Sequence, residues 1–246
     1  MRPYYDAGGV TIYHGDCRNV LPQLDLADVA VVVTDPPYGD TPLAWDTFID
    51  EWVPMLEPVG YLWCFGSLRM WGTQWRLFAE RWKYSQEIIW EKHNGSGFDA
   101  DRFRRVHEFA VLWYRGHWGD RYHVVPTTPS ATRSRITRRD AGPHRGQIGS
   151  ASYENQDGGP LLMRSVIYAR SEHHHAIHPT QKPEAIIAPL VEYACPPGGL
   201  VLDPFVGSGT TLRVAKDRGR QAIGIELDEA MCEKAARRLD QEVLAL

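Results

Sequence analysis

The feature that most constrains the fold of this 246-residue chain is an apolar run, Val29–Val33, followed directly by Thr34 and Asp35-Pro36-Pro37-Tyr38. Five apolar, mostly β-branched residues in a row predict a strand that is buried on both faces, as in a parallel sheet. Pro36 and Pro37 have no N–H to donate and a fixed φ angle, so the strand must end before them. Because open α/β sheets bind ligands at the carboxyl ends of their strands, this turn is a candidate binding site.

The turn offers a carboxylate on Asp35, the carbonyl of Pro36 and the aromatic ring of Tyr38. The two acceptors suit the N–H groups of an exocyclic amine, and the ring suits stacking on a planar base. Taken alone, the motif could also be an ordinary proline-rich turn. It resembles the catalytic motif of DNA amino-methyltransferases, which methylate the exocyclic nitrogen of adenine or cytosine. The resemblance implies that Asp35, Pro36, Pro37 and Tyr38 are the catalytic residues.

A second motif runs from Gly199 to Thr211 and predicts a strand, a glycine turn and the start of a helix. The following segment Gln221–Glu226 predicts another strand that ends in an acid, as expected for a residue that binds ribose hydroxyls. On these residues alone, a dinucleotide or phosphate loop is an alternative. No lysine follows the last glycine, however, and the carboxylates of Asp203 and Glu226 would repel a polyanion. S-adenosylmethionine, a cationic nucleoside without phosphate, fits the pattern better.

The Phe205-x-Gly-x-Gly209 form resembles the cofactor motif of the same methyltransferases, and the segment His178–Pro183 resembles a third family motif. The resemblance implies S-adenosylmethionine as the cofactor. It also implies that Asp16, after a short strand, holds the cofactor's adenine amino group, with an ordinary loop aspartate as the alternative. The implied cofactor-binding residues are Asp16, Cys17, Asp35, His178, Thr180, Lys182, Asp203, Phe205, Gly207, Ser208, Gly209, Thr210, Glu226 and Leu227.

Charge is unevenly distributed along a chain whose net charge is −4. Ten arginines and four acidic residues lie between Asp101 and Gln147, which leaves 17 basic and 27 acidic residues elsewhere. A basic stripe on an acidic body is typical of a protein that binds a polyanion. In the family, this part of the chain recognises the target in double-stranded DNA. The resemblance implies DNA contacts by Arg133, Arg135, Arg138, Arg139 and Arg145, although any one of them could be a solvated surface residue.

The catalytic turn precedes the cofactor loop, an order that resembles the β group of amino-methyltransferases. The resemblance implies an α/β fold: a doubly wound, Rossmann-like methyltransferase sheet, mostly parallel, with an antiparallel hairpin and permuted motif order. Strands at Val31 and Val201 should be neighbours. Further strands are predicted at Glu87–Lys92 and Glu108–Tyr114, joined by a loop at Asn94–Phe98, and helices are predicted at Leu68–Trp82 and Glu184–Ala194. We expect one methyltransferase domain over 1–246, with an inserted target recognition segment at 115–176 and a cofactor-binding half at 178–246. Because 115–171 has almost no apolar periodicity before Leu161, we expect a functional or disordered tract there.

Composition argues against several other classes of protein. We expect no membrane span and no signal peptide, since the chain lacks a run of about 18 apolar residues and a basic, then apolar N-terminus. The four cysteines are scattered, which predicts free thiols in a reducing cytoplasm. The resemblance implies that this is the cytoplasm of a bacterial, archaeal or phage-infected cell. The segment His173–His178 has no cysteine or carboxylate at a ligand spacing, so we expect no metal.

The function implied by the resemblance is methyl transfer from S-adenosylmethionine to N6 of adenine at specific sites in duplex DNA, with the target base flipped out. Aspartate at position 35, where many cytosine enzymes have serine, favours adenine, and N4 of cytosine is the alternative. A non-catalytic DNA-binding regulator on the same fold, or a methyltransferase of RNA or protein, is a further alternative. Relatives are often dimers, so a homodimer is also considered.

Overall fold

The computed structural model describes residues 1–37, 49–96, 100–128, 134–138, 151–170 and 181–241. For residues 94, 96, 134–138 and 151–153 it describes the backbone alone. The strands are β1 (Tyr5–Ala7), β2 (Val10–His14), β3 (Val29–Thr34), β4 (Tyr61–Gly66), β5 (Lys83–Ser96), β6 (Arg105–Tyr114), β7 (Thr127–Thr128), β8 (Ser134–Arg138), β9 (Ala151–Asn155), β10 (Leu161–Leu162), β11 (Val166–Ala169), β12 (Leu200–Asp203) and β13 (Gln221–Glu226). The α-helices are α1 (Cys17–Val20), α2 (Ile49–Trp52), α3 (Leu68–Ala79), α4 (Glu184–Ala194), α5 (Thr210–Asp217) and α6 (Glu229–Asp240), and 3-10 turns lie at Leu21–Gln23, Val53–Leu56 and Trp118–Asp120.

The main sheet has the strand order β1-β2-β13-β12-β3-β4-β6-β5-β11. Strands β2, β13, β12, β3 and β4 are parallel to their neighbours within this set. Strand β6 runs antiparallel to both β4 and β5, which forms the expected hairpin. Val201 in β12 lies opposite Val31 in β3. The doubly wound, mostly parallel sheet and the junction between its two halves are therefore confirmed.

The apolar run of β3 is buried on both faces of the sheet, as its sequence predicts. Val31 and Val33 belong to a core cluster that includes side chains of α4, α5 and α6. Val29 and Val32 belong to a second cluster on the other face, with side chains of α3 and the turn at Val53–Leu56. Because successive side chains of a strand point to opposite faces, only a continuous apolar run fills both clusters.

Some elements differ from the expectations of the sequence. The short edge strands β1 and β11 were not expected, and β11 lies in the later part of 115–171, where apolar residues return after Leu161. It pairs in parallel with β5, from Val166 opposite Ile89 to Ala169 opposite Lys92. Pairing with an available edge, rather than an alternating pattern of its own, defines this strand. Strand β5 also continues to Ser96, through residues expected to form a loop, and α3 ends at Ala79 rather than Trp82.

The chain divides into two compact units. The first comprises Met1–Val124 and Ser165–Leu246, and the second comprises Val125–Arg164. The second unit contains two small antiparallel sheets, one of β7 and β10 and one of β8 and β9. Within the part of the chain that the structure describes, no helix is both long enough and apolar enough to cross a membrane.

We predict that Gly224→Ala lowers the free energy of unfolding by about 1–3 kcal/mol, the usual cost of overpacking a core. A Cβ built on Gly224 would lie 2.7 Å from Leu212 Cδ1 and would also collide with Val206. Gly72→Ala is the matched control, because its Cβ would meet no atom within 4 Å in the exposed interior of α3. The control should raise the free energy of unfolding by about 0.5–1 kcal/mol. Urea unfolding measures both, and changes of the same sign would contradict this packing.

Candidate active site

Four carboxylates lie at or just beyond the carboxyl ends of neighbouring strands. Asp35 follows β3, Asp203 ends β12, Glu226 ends β13, and Asp16 lies two residues after β2. These strands are parallel neighbours, so their carboxyl ends share one edge of the sheet. Their order along the edge follows from the sheet, with Asp35 and Asp203 on adjacent strands. This is the edge at which the sequence predicts a site.

A buried hydrogen bond joins the ends of β3 and β12. The Thr34 hydroxyl donates to Asp203 Oδ1 at 2.9 Å, and the backbone N–H of Phe205 donates to the same oxygen at 3.1 Å. Burial raises the pKa of Asp203 to about 6, against the opposing effect of donors that include the Thr211 hydroxyl. Asp203, which is predicted to bind the cofactor, thus also fixes the start of the glycine loop (residues 204–209) beside the turn that follows β3.

Asp35 belongs to a cluster of four charged side chains that are between 7% and 22% exposed. Lys182 forms an ion pair with Asp35 Oδ2, and its Nζ lies 3.2 Å from Glu108 Oε2. Glu108 Oε1 is paired in turn with Lys92. The Lys182 side chain is only 7% exposed, and its Nζ lies 5.1 Å from the ring centroid of Phe65. The other oxygen of Asp35, Oδ1, is buried and accepts no hydrogen bond among the described residues.

The electrostatics of this cluster favour ionised Lys182 and Glu108. Burial works against the charge of Lys182, but Asp35 and Glu108 outweigh burial and raise the pKa of the ammonium. Burial likewise works against the charge of Glu108, and Lys182 and Lys92 together lower the pKa of that carboxyl. Burial raises the pKa of Asp35, only partly offset by Lys182. Of the two carboxyl groups, Asp35 therefore accepts a proton more readily.

The glycine loop is open at Gly207 and closed at Gly209. Both glycines have left-handed φ angles, +51° and +80°. A Cβ built on Gly207 would meet no atom within 4 Å, whereas one on Gly209 would lie 3.0 Å from Ala235 Cβ. Glu226 Oε2 accepts the N–H of Gly207 at 2.8 Å, and Glu226 Oε1 accepts the N–H of Asp228 at 2.9 Å. The loop therefore presents open backbone beside a carboxylate at the sheet edge.

Several of the residues predicted to bind the cofactor have side chains that are buried or paired with other residues. The side chains of Ser208 and Thr210 are buried, and Thr210 Oγ1 accepts a hydrogen bond from Arg238 at 3.0 Å. Only their backbones could contact a ligand at the edge. Asp16 caps α1, and both its carboxylate oxygens accept from Arg18.

Other predicted residues show varied exposure. The side chain of Cys17 is buried, and burial raises the pKa of its thiol to about 12. Phe205 is half-buried and packs edge-on against Trp52, with ring centroids 5.1 Å apart. Leu227 is exposed at the end of β13, and Pro36 is buried beside the partly exposed Pro37.

Some predicted residues lie outside the described part of the chain. These are Tyr38, Arg133, Arg139, Arg145, His178 and Thr180, together with His173, His174 and His175. Arg135 and Arg138 lie in β8, where the backbone alone is described. Among the described residues, no group of three or more His, Cys, Asp or Glu side chains could hold a metal ion.

Sequence reasoning missed Glu108 and Lys92, both of which reach the cluster around Asp35. Each is a charged residue in a segment predicted to be a strand of the sheet, Glu87–Lys92 and Glu108–Tyr114. Charged side chains are almost never buried unless they are paired. Two charged residues in predicted strands could therefore have been recognised as an ion pair. The sequence could not have shown that Glu108 also contacts Lys182, or that Lys182 binds Asp35.

The DNA methylase family whose members act on N6 or N4 has a sequence model that matches residues 29–237 of this chain. Since the match covers most of the sequence, the protein belongs to this family. The expected family is confirmed.

Two curated relatives are 25% identical to the chain, over 98% of its length and 93% of theirs. They are the Type II methyltransferases M2.DpnII of Streptococcus pneumoniae and M2.LlaDCHI of Lactococcus lactis subsp. cremoris. Two solved structures have the same fold. The M1.HpyAVI–SAM complex has a TM-score of 0.63 and 24% identity, covering 94% of this chain and all of that one. The cytosine-N4-specific PvuII DNA methyltransferase has a TM-score of 0.69 and 14% identity, covering 100% of this chain and 91% of that one.

We predict that the stability of the wild type depends on pH through Asp203. Between about pH 4 and 6 the unfolded carboxyl is ionised while the folded carboxyl, with its pKa of about 6, still holds a proton. Stability from this group is therefore fully present at low pH and is lost as the pH rises through 6. Asp203→Asn removes the titration, so from pH 4 to 7 the wild type should lose up to about 3 kcal/mol relative to the variant.

Urea unfolding over this pH range measures the difference between the wild type and Asp203→Asn. Asp101→Asn is the control, because its carboxylate is mostly exposed and its pKa is lowered by Arg102 rather than raised. A difference for Asp203→Asn that stays constant with pH would contradict the buried placement of this carboxyl.

Proposed function

We propose that this protein transfers a methyl group from S-adenosylmethionine to the exocyclic N6 of adenine in duplex DNA, after flipping the base out of the helix. The observation that supports this most is Asp35 Oδ1, a buried carboxylate oxygen that has no donor among the described residues, at the ligand-binding edge of the sheet. An unsatisfied buried acceptor costs about 1–3 kcal/mol, and more when it is charged. The N–H of a target amine would satisfy it.

The residues at the ends of β12 and β13 fit S-adenosylmethionine. The open backbone at Gly207 allows close approach, and each Glu226 oxygen keeps a second acceptor position for a ribose hydroxyl. The exposed Leu227 side chain suits one face of an adenine ring. The relative M1.HpyAVI was solved in complex with SAM. When bound, this cofactor supplies a methyl group activated by a sulfonium.

The catalytic turn orients the target amine. Asp35 Oδ1 accepts one N–H and the Pro36 carbonyl accepts the other, while the predicted role of Tyr38 is to stack on the flipped base. Two fixed acceptors direct the nitrogen lone pair out of the ring plane toward the methyl donor, which is chiefly an alignment effect. The methylated amine must then lose a proton. Asp35 is suited to receive it because burial raises its pKa.

The transfer is direct, without a covalent intermediate on the protein. The four cysteines are buried. Burial raises the pKa of Cys195 to about 11 and that of Cys17 and Cys232 to about 12, so these thiols are poor nucleophiles at neutral pH.

The second candidate function is methylation of cytosine N4. The exocyclic amine of cytosine can donate its two hydrogen bonds to the same two oxygens, Asp35 Oδ1 and the Pro36 carbonyl. The PvuII enzyme, which shares the fold, is cytosine-N4-specific. Aspartate rather than serine at position 35 supports adenine. A non-catalytic regulator is a weaker proposal, because a protein that transfers no methyl group would not need the intact Asp35-Pro36-Pro37-Tyr38 motif. The expectation of a homodimer stays a prediction.

We predict that Asp35→Ala lowers methyl transfer by about a hundredfold or more while leaving cofactor affinity largely unchanged. Gly207→Val should instead weaken cofactor binding, because its side chain would fill the open space and strain a left-handed backbone. Asp28→Ala, which removes an exposed carboxylate, is the control for both. Calorimetry gives cofactor affinity, and transfer of a tritiated methyl group to mixed-sequence DNA gives activity. An active Asp35→Ala variant would exclude the proposed chemistry.

The tip of the β5–β6 hairpin offers a DNA-contacting surface among the described residues. Phe109 in β6 pairs with Gly66, the last residue of β4, so the preceding residues 105–108 extend beyond the carboxyl edge of the sheet. Phe103, farther out, is fully exposed, and Arg102, Arg104 and Arg105 beside it are exposed too. An aromatic wedge among cations suits insertion into a base stack together with contacts to phosphates. This surface supports a duplex substrate.

We predict that Phe103→Ala slows methylation of duplex DNA more than methylation of single-stranded DNA of the same sequence. The reason is that a wedge helps to extrude a stacked base and is not needed when the base is already unpaired. Phe103→Tyr keeps the ring and is the control, which should behave like the wild type on both substrates. Methyl transfer to the two forms measures the ratio. An equal loss on both would exclude a role in opening the duplex.

A further inference from the structure

We propose that Glu108 is a positioning residue, which holds Lys182 on Asp35 Oδ2 so that Oδ1 alone faces the target amine. The proposal rests on the proposed function, since that function assigns the amine to Asp35. It assigns no direct contact with substrate to Glu108. It also gives Lys182 a different task from the one that the sequence implies, namely contact with the cofactor.

Three separate elements bring these charges together. Asp35 follows β3, Glu108 comes from β6 just beyond the last pair with β4, and Lys182 precedes α4. Glu108 and Lys182 have side chains only 14% and 7% exposed. Charged groups are retained in such places when they are paired. The position of the Lys182 ammonium is therefore set by its contacts with the two carboxylates and the Phe65 ring.

The arrangement makes the two oxygens of Asp35 unequal. Oδ2 is bound to the ammonium of Lys182, whereas Oδ1 is buried with no donor among the described residues. Rotation of the carboxylate would break the ion pair, so the pair fixes its plane. Lys92 binds the remaining oxygen of Glu108 and lies over the ring of Trp90. Two ammonium groups thus balance two carboxylates, and Glu108 stays ionised without drawing Lys182 away from Asp35.

The titration of Asp35 depends on the charged and titratable groups that face it from the part of the chain that the structure describes. These are Lys182, Glu108 and Lys92 of the cluster, Asp203 at the end of β12, and Cys64 in β4. Lys182 favours the ionised form of Asp35, and Glu108 disfavours it. Removing Lys182 should therefore raise the pKa of Asp35. Glu108→Gln should lower that pKa, because it removes a repulsive charge while its amide oxygen can still accept from Lys182 and keep the ammonium on Asp35.

The first test is the pH dependence of kcat at saturating cofactor and DNA. Lys182→Met should move the acid limb to higher pH by about one unit or more, and Glu108→Gln should move it to lower pH. Glu91→Gln is the matched control, an exposed carboxylate on β5 near the same edge, and should leave the limb in place. Calorimetry should show cofactor affinity largely unchanged in all three variants. Loss of cofactor affinity in Lys182→Met, with an unmoved acid limb, would overturn the proposal and favour the cofactor contact.

The second test does not depend on activity. Carboxyl carbon-13 NMR follows the titration of Asp35 in the protein alone, with the resonance assigned from Asp35→Asn. Opposite shifts in Lys182→Met and Glu108→Gln support the placement even if the wild type methylates no DNA, an outcome that would remove the proposed function. An unchanged Asp35 titration in both variants would overturn the inference. Should Lys182→Met fail to fold, the charge-balanced double variant Lys182→Met/Glu108→Gln replaces it. An Asp35 pKa above that of Glu108→Gln alone supports the opposed effects, because Lys182 lowers the pKa of Asp35. An Asp35 titration equal to that of Glu108→Gln alone overturns them.

Discussion

The hydrogen bond from the Thr34 hydroxyl to Asp203 Oδ1 joins the two halves of the main sheet at the edge that holds the candidate active site. It spans the ends of β3 and β12, which lie side by side because Val31 and Val201 pair in the middle of a sheet that is buried on both faces. The same carboxylate oxygen accepts the N–H of Phe205, so the start of the glycine loop is fixed relative to the catalytic turn. A shared edge between a nucleoside-type loop and a carboxylate is what a methyl transfer between two bound molecules requires.

Burial gives the charges at this edge their specific behaviour. In water, solvent and salt would screen the attraction between an ammonium and two carboxylates. Around Asp35, the side chains of the cluster are mostly removed from solvent, so the attraction is screened less. Removing one member of such a pair leaves the other charge without a partner, which destabilises the folded protein. Among the described residues Asp35 Oδ1 has no donor, and burial raises the pKa of the carboxyl, so this oxygen is suited first to accept a hydrogen bond and later to accept a proton.

Much of this could be predicted because it depends on local pattern. The run Val29–Val33 predicts a doubly buried strand, and helix α4 and strand β13 occur at the predicted residues. What the sequence does not reveal depends on tertiary contact. Strand β11 exists because β5 offers it an edge, and the Thr210 hydroxyl is directed inward by Arg238, which comes from the far end of the chain. The meeting of Glu108 with Lys182 joins residues that no periodicity connects, so only the folded sheet shows it.

The central claim is that the edge around Asp35 and Gly207 methylates an exocyclic amine of DNA. Nucleoside mass spectrometry of mixed-sequence duplex DNA, after incubation with the protein and S-adenosylmethionine, tests it most directly. The account predicts N6-methyladenine. N4-methylcytosine in its place would keep the mechanism and change the base. Unmodified DNA, from folded protein shown by calorimetry to bind the cofactor, would contradict the account.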